Sequence, residues 1–67
     1  MKAISGKRMC RILEKKGWRH VRTRGAHFTY ERDGHPSITV PVHANKALKI
    51  GMQRALMKAA DLTEDDL

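Results

Sequence analysis

One histidine in the stretch RTRGAHFTY, residues 22–30, stands where it could transfer a proton beside a bound anion. His27 follows a small-residue turn and opens an aromatic segment, and Arg22 and Arg24 come just before it. An imidazole exchanges its proton near neutral pH, and guanidinium groups stabilise negative charge on phosphoryl oxygens. These residue types would allow general acid–base chemistry at a phosphate ester, although a single histidine next to arginines is a weak signal. The competing interpretation is an ordinary hairpin, because a lone histidine at a strand start is more often a hairpin residue than a catalyst.

The charge of the chain indicates which phosphate ester to consider. Fourteen Lys and Arg against seven Asp and Glu give a net charge of +7. Nucleic acid is the commonest large polyanion that such a positive chain would attract. A histidine that removes the proton of a ribose 2′-hydroxyl lets this oxygen attack the adjacent phosphorus, so RNA would be cut and DNA would not. An anionic membrane is the alternative partner, but no segment pairs a basic face with the bulky apolar face of an interfacial helix.

Length and composition restrict the kinds of site that the chain can build. Sixty-seven residues predict a single domain, residues 1–67, whose core is too small to enclose a deep pocket. Cys10 has no partner for an internal disulfide, and the four histidines lie seven or eight residues apart, which predicts no metal site. No apolar run resembles a signal peptide or a membrane span. We therefore expect a cytoplasmic protein that works without cofactor or metal through a groove or an open surface.

Two amphipathic helices are predicted, one near each end of the chain. Ser5 is a good N-cap for the first helix, and Gly17 is placed to end it in the left-handed conformation. The second helix should occupy roughly residues 50–60. Its predicted core-facing stripe, read from helical spacing, is Leu48, Met52, Ala55, Leu56 and Ala59. We expect the acidic residues beyond it to cap and solubilise the C-terminus.

Three strands are predicted between the helices. The first two, residues 18–23 and 27–32, are joined through Gly25, where the chain can turn and bring backbone amides close to a ligand. The Asp-Gly pair at 33–34 predicts a second hairpin turn, and Pro41 indicates that the third strand is an edge or is bulged. The order α-β-β-β-α predicts an α+β fold: a three-stranded antiparallel sheet with both helices packed on one face and the other face open.

The chain as a whole resembles the HicA toxins, also called YcfA-like, which are small ribonucleases of bacterial and archaeal toxin-antitoxin modules. SGKRMCRILEKKGW, residues 5–18, is similar to the family's first helix ending in Gly-Trp. RGAHFTY, residues 24–30, falls where the family has Gly-Ser-His followed by a strand. ITVPVHANKALKIG, residues 38–51, is similar to its third strand, Val-Pro motif, loop and Lys-Gly helix entry. Several such features in the right order are far more specific than any one of them.

The resemblance implies a double-stranded-RNA-binding-like fold, metal-independent cleavage of mRNA, growth arrest by the free toxin, and neutralisation by a HicB antitoxin that covers the active face. It places the family's catalytic histidine on His27 and its turn glycine on Gly25. Together with the charge beside the histidine, it predicts a set of RNA-binding residues: Lys7, Arg22, Arg24, Gly25, Lys46 and Lys49.

Two positions depart from the family's pattern. Ala26 stands where the family usually has serine, so a hydroxyl that could bind phosphate or orient the histidine is missing. Phe28 stands where many members have a second histidine; successive strand residues point to opposite faces, so Phe28 should serve the core. The alternative to a ribonuclease is therefore a non-catalytic or attenuated domain that binds RNA or the antitoxin.

Overall fold

The structure, a computed structural model, describes all 67 residues, and its elements follow the predicted order. They are α1 (Gly6–Lys15), β1 (Arg19–Arg24), β2 (His27–Glu31), β3 (Ile38–Pro41), α2 (Ile50–Ala59) and a final 3₁₀ turn (Glu64–Asp66). The strands form one antiparallel sheet in the order β1-β2-β3, so β3 is an edge strand, as Pro41 indicates. The predicted double-stranded-RNA-binding-like α+β fold is confirmed.

Helix α1 begins and ends at the residues that its sequence predicts. The Ser5 hydroxyl accepts a hydrogen bond from the backbone N–H of Arg8 at 3.0 Å, which caps the first turn. Gly17 adopts φ +92°, a left-handed conformation that residues with a side chain rarely take. The N–H of Trp18 donates back to the carbonyl of Leu13 at 3.0 Å, the bond of a Schellman motif. These caps fix the point at which the chain turns from α1 into β1.

The hydrophobic core lies between the two helices and one face of the sheet. Tyr30 on the central strand is 1% exposed, and its hydroxyl donates to the Glu14 carboxylate at 2.7 Å. Burial, followed by hydrogen bonds to Cys10 and Glu14, raises the pKa of Tyr30, so the phenol stays neutral. Phe28, two residues earlier on the same face, packs against the core as expected. The buried apolar residues are Ile4, Met9, Cys10, Ile12, Leu13, Trp18, Tyr30, Ile38, Val40, Leu48, Leu56, Met57, Ala60 and Leu62.

Helix α2 turns a different side toward the core than its apolar spacing predicts. Leu48 and Leu56 are buried, as expected. The prediction was wrong for the rest of the stripe: Met52 is 43% exposed, and Ala55 and Ala59 also face solvent. A polar residue is buried on this helix in their place.

Gln53 explains the rotation of α2. Its side chain is fully buried; Oε1 accepts from the N–H of Ile4 at 2.9 Å, and Nε2 donates to the carbonyl of Lys2 at 2.6 Å. A buried amide is stable when both its donor and its acceptor are satisfied, and here the N-terminal backbone satisfies both. The N–H of Leu48 donates to the carbonyl of Ile4 at 2.8 Å and extends the same attachment. Helix α2 is thus oriented by hydrogen bonds that a count of apolar residues does not detect.

The two connections between strands differ in length. Residues 25–26 form a two-residue loop, since Arg24 pairs with His27. The Asp-Gly pair does turn the chain, because the N–H of His35 donates to the carbonyl of Arg32 at 3.1 Å. The strands nevertheless separate after Glu31 and resume at Ile38, a longer gap than a tight Asp-Gly hairpin leaves. Pro36 supplies no amide donor, so the ladder cannot continue into the turn.

Candidate nucleic-acid interface

His27 lies on the sheet face that points away from the helices. Its neighbour Phe28 packs against the core, and successive strand residues alternate between faces. His27 pairs with Arg24 on β1 and with Pro41 on β3, so these three residues form one row across the open face. The histidine is exposed to solvent, where a phosphate group can reach it.

A second row places another arginine on the open face. Thr29 pairs with Arg22 on β1 and with Thr39 on β3, and the two threonine hydroxyl oxygens lie 3.3 Å apart. The two rows are adjacent, since Thr29 is two residues beyond His27 on the same strand. Both arginines that the sequence places near His27 therefore share its face of the sheet.

A β-bulge in β1 is the reason that both arginines reach this face. His20 pairs with Tyr30 on the helix-facing side, and the register shifts between His20 and Arg22. Strict alternation from His20 would direct Arg22 and Arg24 toward the helices. The extra residue, Val21, reverses the alternation, so both arginines point to the open face. Arg24 lies in the row of His27, and Arg22 lies in the adjacent row of Thr29. The sequence predicts a role in RNA binding for both arginines, but it does not reveal the bulge that orients them.

The β1–β2 turn, residues 25–26, fixes the backbone just before His27. Gly25 adopts φ +58°, and space is open around the position of a Cβ there. Glycine with positive φ at the first position of a two-residue loop is typical of a type II′ turn. The carbonyl of Ala26 accepts from the N–H of Val42 at 2.7 Å, which ties this turn to the end of β3. The Ala26 position, where the family usually has serine, is therefore held next to His27.

A cleft at the end of β3 brings the loop lysines toward this row. It has a volume of about 360 Å³ and is lined by Pro41, His43, Lys46, Ala47, Leu48, Lys49 and Met52. Pro41 belongs both to the cleft and to the row of His27, so the two meet at this residue. Lys46 and Lys49 are predicted to bind RNA, and the structure places both at one side of the candidate site.

Lys7 lies near the same end of the sheet because the preceding residue, Gly6, packs closely against β3. A Cβ on Gly6 would collide with the carbonyl oxygen of Pro41, so only glycine lets the first turn of α1 approach β3. Lys7 follows directly and is exposed. The structure thus brings the N-terminus of α1 to the strand end that borders the cleft.

The other three histidines differ in their surroundings. His20 lies on the opposite face, with Nε2 at 2.6 Å from the Thr23 hydroxyl oxygen. His35 is in the β2–β3 loop, edge-on to Trp18 and with Nε2 at 3.7 Å from a carboxylate oxygen of Asp61. His43 lines the cleft beside the two lysines. From the sequence, His43 could contact RNA or merely cap the loop after the last strand, and it was not chosen as a candidate site residue; its place two residues after Pro41 was the available signal.

The acidic C-terminus folds back on the start of the chain and on α1. Asp66 lies 2.7 Å from the ammonium of Lys16, and Glu64 lies 3.5 Å from the N-terminal amine. The hydrogen bond from Lys16, followed by that from the Thr63 backbone, lowers the pKa of Asp66. No salt bridge of the structure involves the cations predicted to bind RNA: Lys7, Arg22, Arg24, Lys46 and Lys49. Their charges are not neutralised within the chain.

Two further features bear on the kind of site. No group of three or more His, Cys, Asp or Glu side chains is placed so that it could hold a metal ion. Neither long helix has the length and apolar character that crossing a membrane requires.

Comparison with known proteins shows which family the chain belongs to. No curated protein matches the chain. Among protein families, the model of the HicA toxin of bacterial toxin-antitoxin systems matches residues 6–62. The match runs from the first residue of α1 to beyond the end of α2 and includes every residue of the candidate site. Because it covers most of the 67 residues, the chain belongs to the HicA toxin family.

Proposed function

We propose that the chain is the ribonuclease toxin of a toxin-antitoxin module and that it cleaves mRNA with His27 as the general acid–base residue. One observation carries the proposal: His27 is exposed in one row with Arg24 and beside a cleft lined by Lys46 and Lys49. Proton transfer and phosphate binding need these residue types within one surface. Membership of the HicA toxin family supports the role as the toxin of such a module.

In the proposed reaction, the neutral His27 imidazole takes the proton of a ribose 2′-hydroxyl. The 2′-oxygen then forms a bond to the adjacent phosphorus as the bond from phosphorus to the 5′-oxygen breaks, which leaves a 2′,3′-cyclic phosphate. The leaving 5′-oxygen takes a proton from water, and the protonated His27 then returns its own proton to the solvent. Arg24 stabilises the charge that builds on the phosphoryl oxygens. Arg22 and the lysines hold neighbouring phosphates and set the position of the RNA.

A second candidate function is an attenuated domain that binds RNA or antitoxin without efficient cleavage. Alanine at position 26 favours it, since the turn beside His27 lacks the hydroxyl that the family usually places there. The two candidates share the open face and differ only in the rate of the chemical step.

The partner that we propose is a HicB-type antitoxin in the cytoplasm, where mRNA is translated. An antitoxin that covers the open face would block His27 and the arginines at once. The cations of this face have no acidic partners within the chain, so a partner that supplies carboxylates would complement them.

The test is incubation of the purified chain with single-stranded RNA in EDTA, followed by mass spectrometry of the product ends. The proposal predicts fragments that end in 2′,3′-cyclic or 3′-phosphate. Intact RNA, or fragments with other ends, would contradict it. Growth on expression of the chain and of the Ala26→Ser variant separates the full toxin from the attenuated domain, because only the latter should need the serine to arrest growth.

A further inference from the structure

The cleft at the end of β3 has an apolar floor for which the proposed cleavage step has no use. Its lining includes Leu48, which is buried, and Met52, which is 43% exposed. Lys46 and Lys49 also line the cleft and bring two positive charges to it, and His43 adds an imidazole ring. Phosphate binding alone requires only the lysines, so the apolar residues indicate a ligand with a second, non-polar part.

Met52 is held in the cleft by the way α2 is attached to the rest of the fold. Gln53, the next residue, is fully buried and makes two hydrogen bonds to the N-terminal backbone. This attachment turns Met52 out of the core and toward the cleft, where its long thioether side chain is accessible. The exposure of Met52 is thus fixed by buried contacts and is not a frayed helix end.

The chemistry and size of the cleft fit one nucleotide. No carboxylate is among its lining residues, and a nucleotide combines a phosphate for the lysines with a flat, largely apolar base. A methionine sulfur makes favourable contacts with aromatic rings, and a base presents such a ring. The volume of about 360 Å³ lies within the range of roughly 300–1,000 Å³ for small-ligand sites.

We propose that this cleft binds a single unstacked nucleotide of the RNA, with its base against Met52 and Leu48 and its phosphate against Lys46 and Lys49. Pro41 joins the cleft to the row of His27, so this nucleotide neighbours the one that is cleaved. A base within a duplex is stacked and paired and cannot enter, which makes single-stranded RNA the substrate. The inference takes RNA as the ligand from the proposed function but does not depend on cleavage.

The experiment measures binding with an RNA that cannot be cleaved. A fluorescein-labelled 2′-fluoro RNA oligonucleotide lacks the attacking hydroxyl, and fluorescence anisotropy gives its affinity for the full chain. The Met52→Ala variant should bind the single strand about fivefold more weakly, the scale of losing a few tens of Å² of apolar contact. Met52→Leu, which keeps an apolar side chain, should restore most of the affinity.

The matched control is Ile50→Ala. Ile50 lies on the same helix and is 47% exposed, but it does not line the cleft, so its loss should leave the affinity unchanged. A duplex of the same 2′-fluoro sequence should bind wild-type chain and Met52→Ala equally well, because its bases cannot enter the cleft. Thermal unfolding of each variant verifies that the fold is intact.

Three results would overturn the inference: no binding of the single strand, equal binding by wild type and Met52→Ala, or the same loss on single strand and duplex. Equal RNA binding together with weaker antitoxin binding by Met52→Ala would assign the cleft to the protein partner instead. Failure of the ribonuclease proposal is distinguishable, because RNA would then stay intact while binding of the 2′-fluoro strand still depended on Met52. Cleavage that depends on His27, together with RNA binding that does not change in Met52→Ala, would reject nucleotide binding by the cleft and leave the ribonuclease proposal intact.

Discussion

The two faces of the sheet are built from alternate residues of the same short strands, yet they have opposite properties. On β2, Phe28 and Tyr30 face the helices, and Tyr30 is 1% exposed. Between and beside them, His27 and Thr29 face away and share rows with two arginines. One face determines whether the chain folds, and the other carries the groups proposed to bind and cleave RNA. Substitutions one residue apart should therefore separate stability from activity.

The largest effect is expected on the packed face. Replacing Tyr30 with alanine removes a buried ring and should lower the free energy of unfolding by about 4 kcal/mol, enough to unfold much of so small a domain. Tyr30→Phe keeps the ring and loses only the hydroxyl with its hydrogen bonds, chiefly the 2.7 Å bond to Glu14, which should cost about 1 kcal/mol. Urea denaturation followed by circular dichroism measures both. Equal stability of the two variants would contradict the assignment of Tyr30 to the core.

On the open face, Arg24→Gln should slow RNA cleavage about a hundredfold, the scale of removing one group that stabilises transition-state charge. Its free energy of unfolding should change by less than about 0.5 kcal/mol, because the side chain is exposed. The matched control is Arg19→Gln on the same strand. Arg19 lies 3.5 Å from Asp33, at the far end from His27, and its loss should leave the cleavage rate within about twofold. A similar loss in both variants would show that general charge, rather than the row of His27, matters.

Ala26→Ser probes the turn beside the histidine. The added hydroxyl should raise the cleavage rate about tenfold, the scale of one hydrogen bond to a charged group. The stability should hardly change, since the backbone bond from Val42 to the carbonyl of residue 26 does not depend on the side chain. A rate that stays the same in single-turnover cleavage assays would show that the family's serine has no part in the chemistry.

The smallest effect concerns the acidic C-terminus, which takes no part in either face. The pKa of Asp66 is lower in the folded chain than in the unfolded chain, so its ionised form stabilises the fold. This contribution is fully present above the ordinary aspartate pKa and is lost as the pH falls through the lower folded value. Asp66→Asn should therefore lower the melting temperature slightly at pH 7 and not at all at strongly acidic pH. A difference that persists at acidic pH would contradict the pairing with Lys16.

Much of this arrangement could be predicted from local sequence signals. Ser5 and Gly17 bound α1 because a capping side chain and a left-handed glycine act within a few residues. The element order and the alternation of β2 follow from hydrophobic periodicity, which also placed Phe28 in the core. The residues near His27 were recognised through their charge and a family pattern spread over most of the chain.

The features that escaped prediction depend on contacts between distant residues. The buried face of α2 is decided by Gln53 and its bonds to the N-terminal backbone, 49 and 51 residues away. The bulge at Val21 is a property of strand pairing, and nothing in its own stretch of sequence marks it. The cleft at Met52 depends on both the end of β3 and the rotation of α2. Apolar spacing within α2 indicates neither feature, and it therefore assigned the Met52 side chain to the core.

The central claim is that His27, on the open face, carries the chemistry and contributes nothing essential to the fold. The most direct test compares His27→Ala with His20→Ala, a second exposed histidine on the opposite face, in single-turnover cleavage of single-stranded RNA and in urea denaturation. We predict that His27→Ala slows cleavage by about a thousandfold with an unchanged unfolding midpoint, while His20→Ala keeps the wild-type rate. Cleavage by His27→Ala at the wild-type rate, with the fold intact, would contradict the claim.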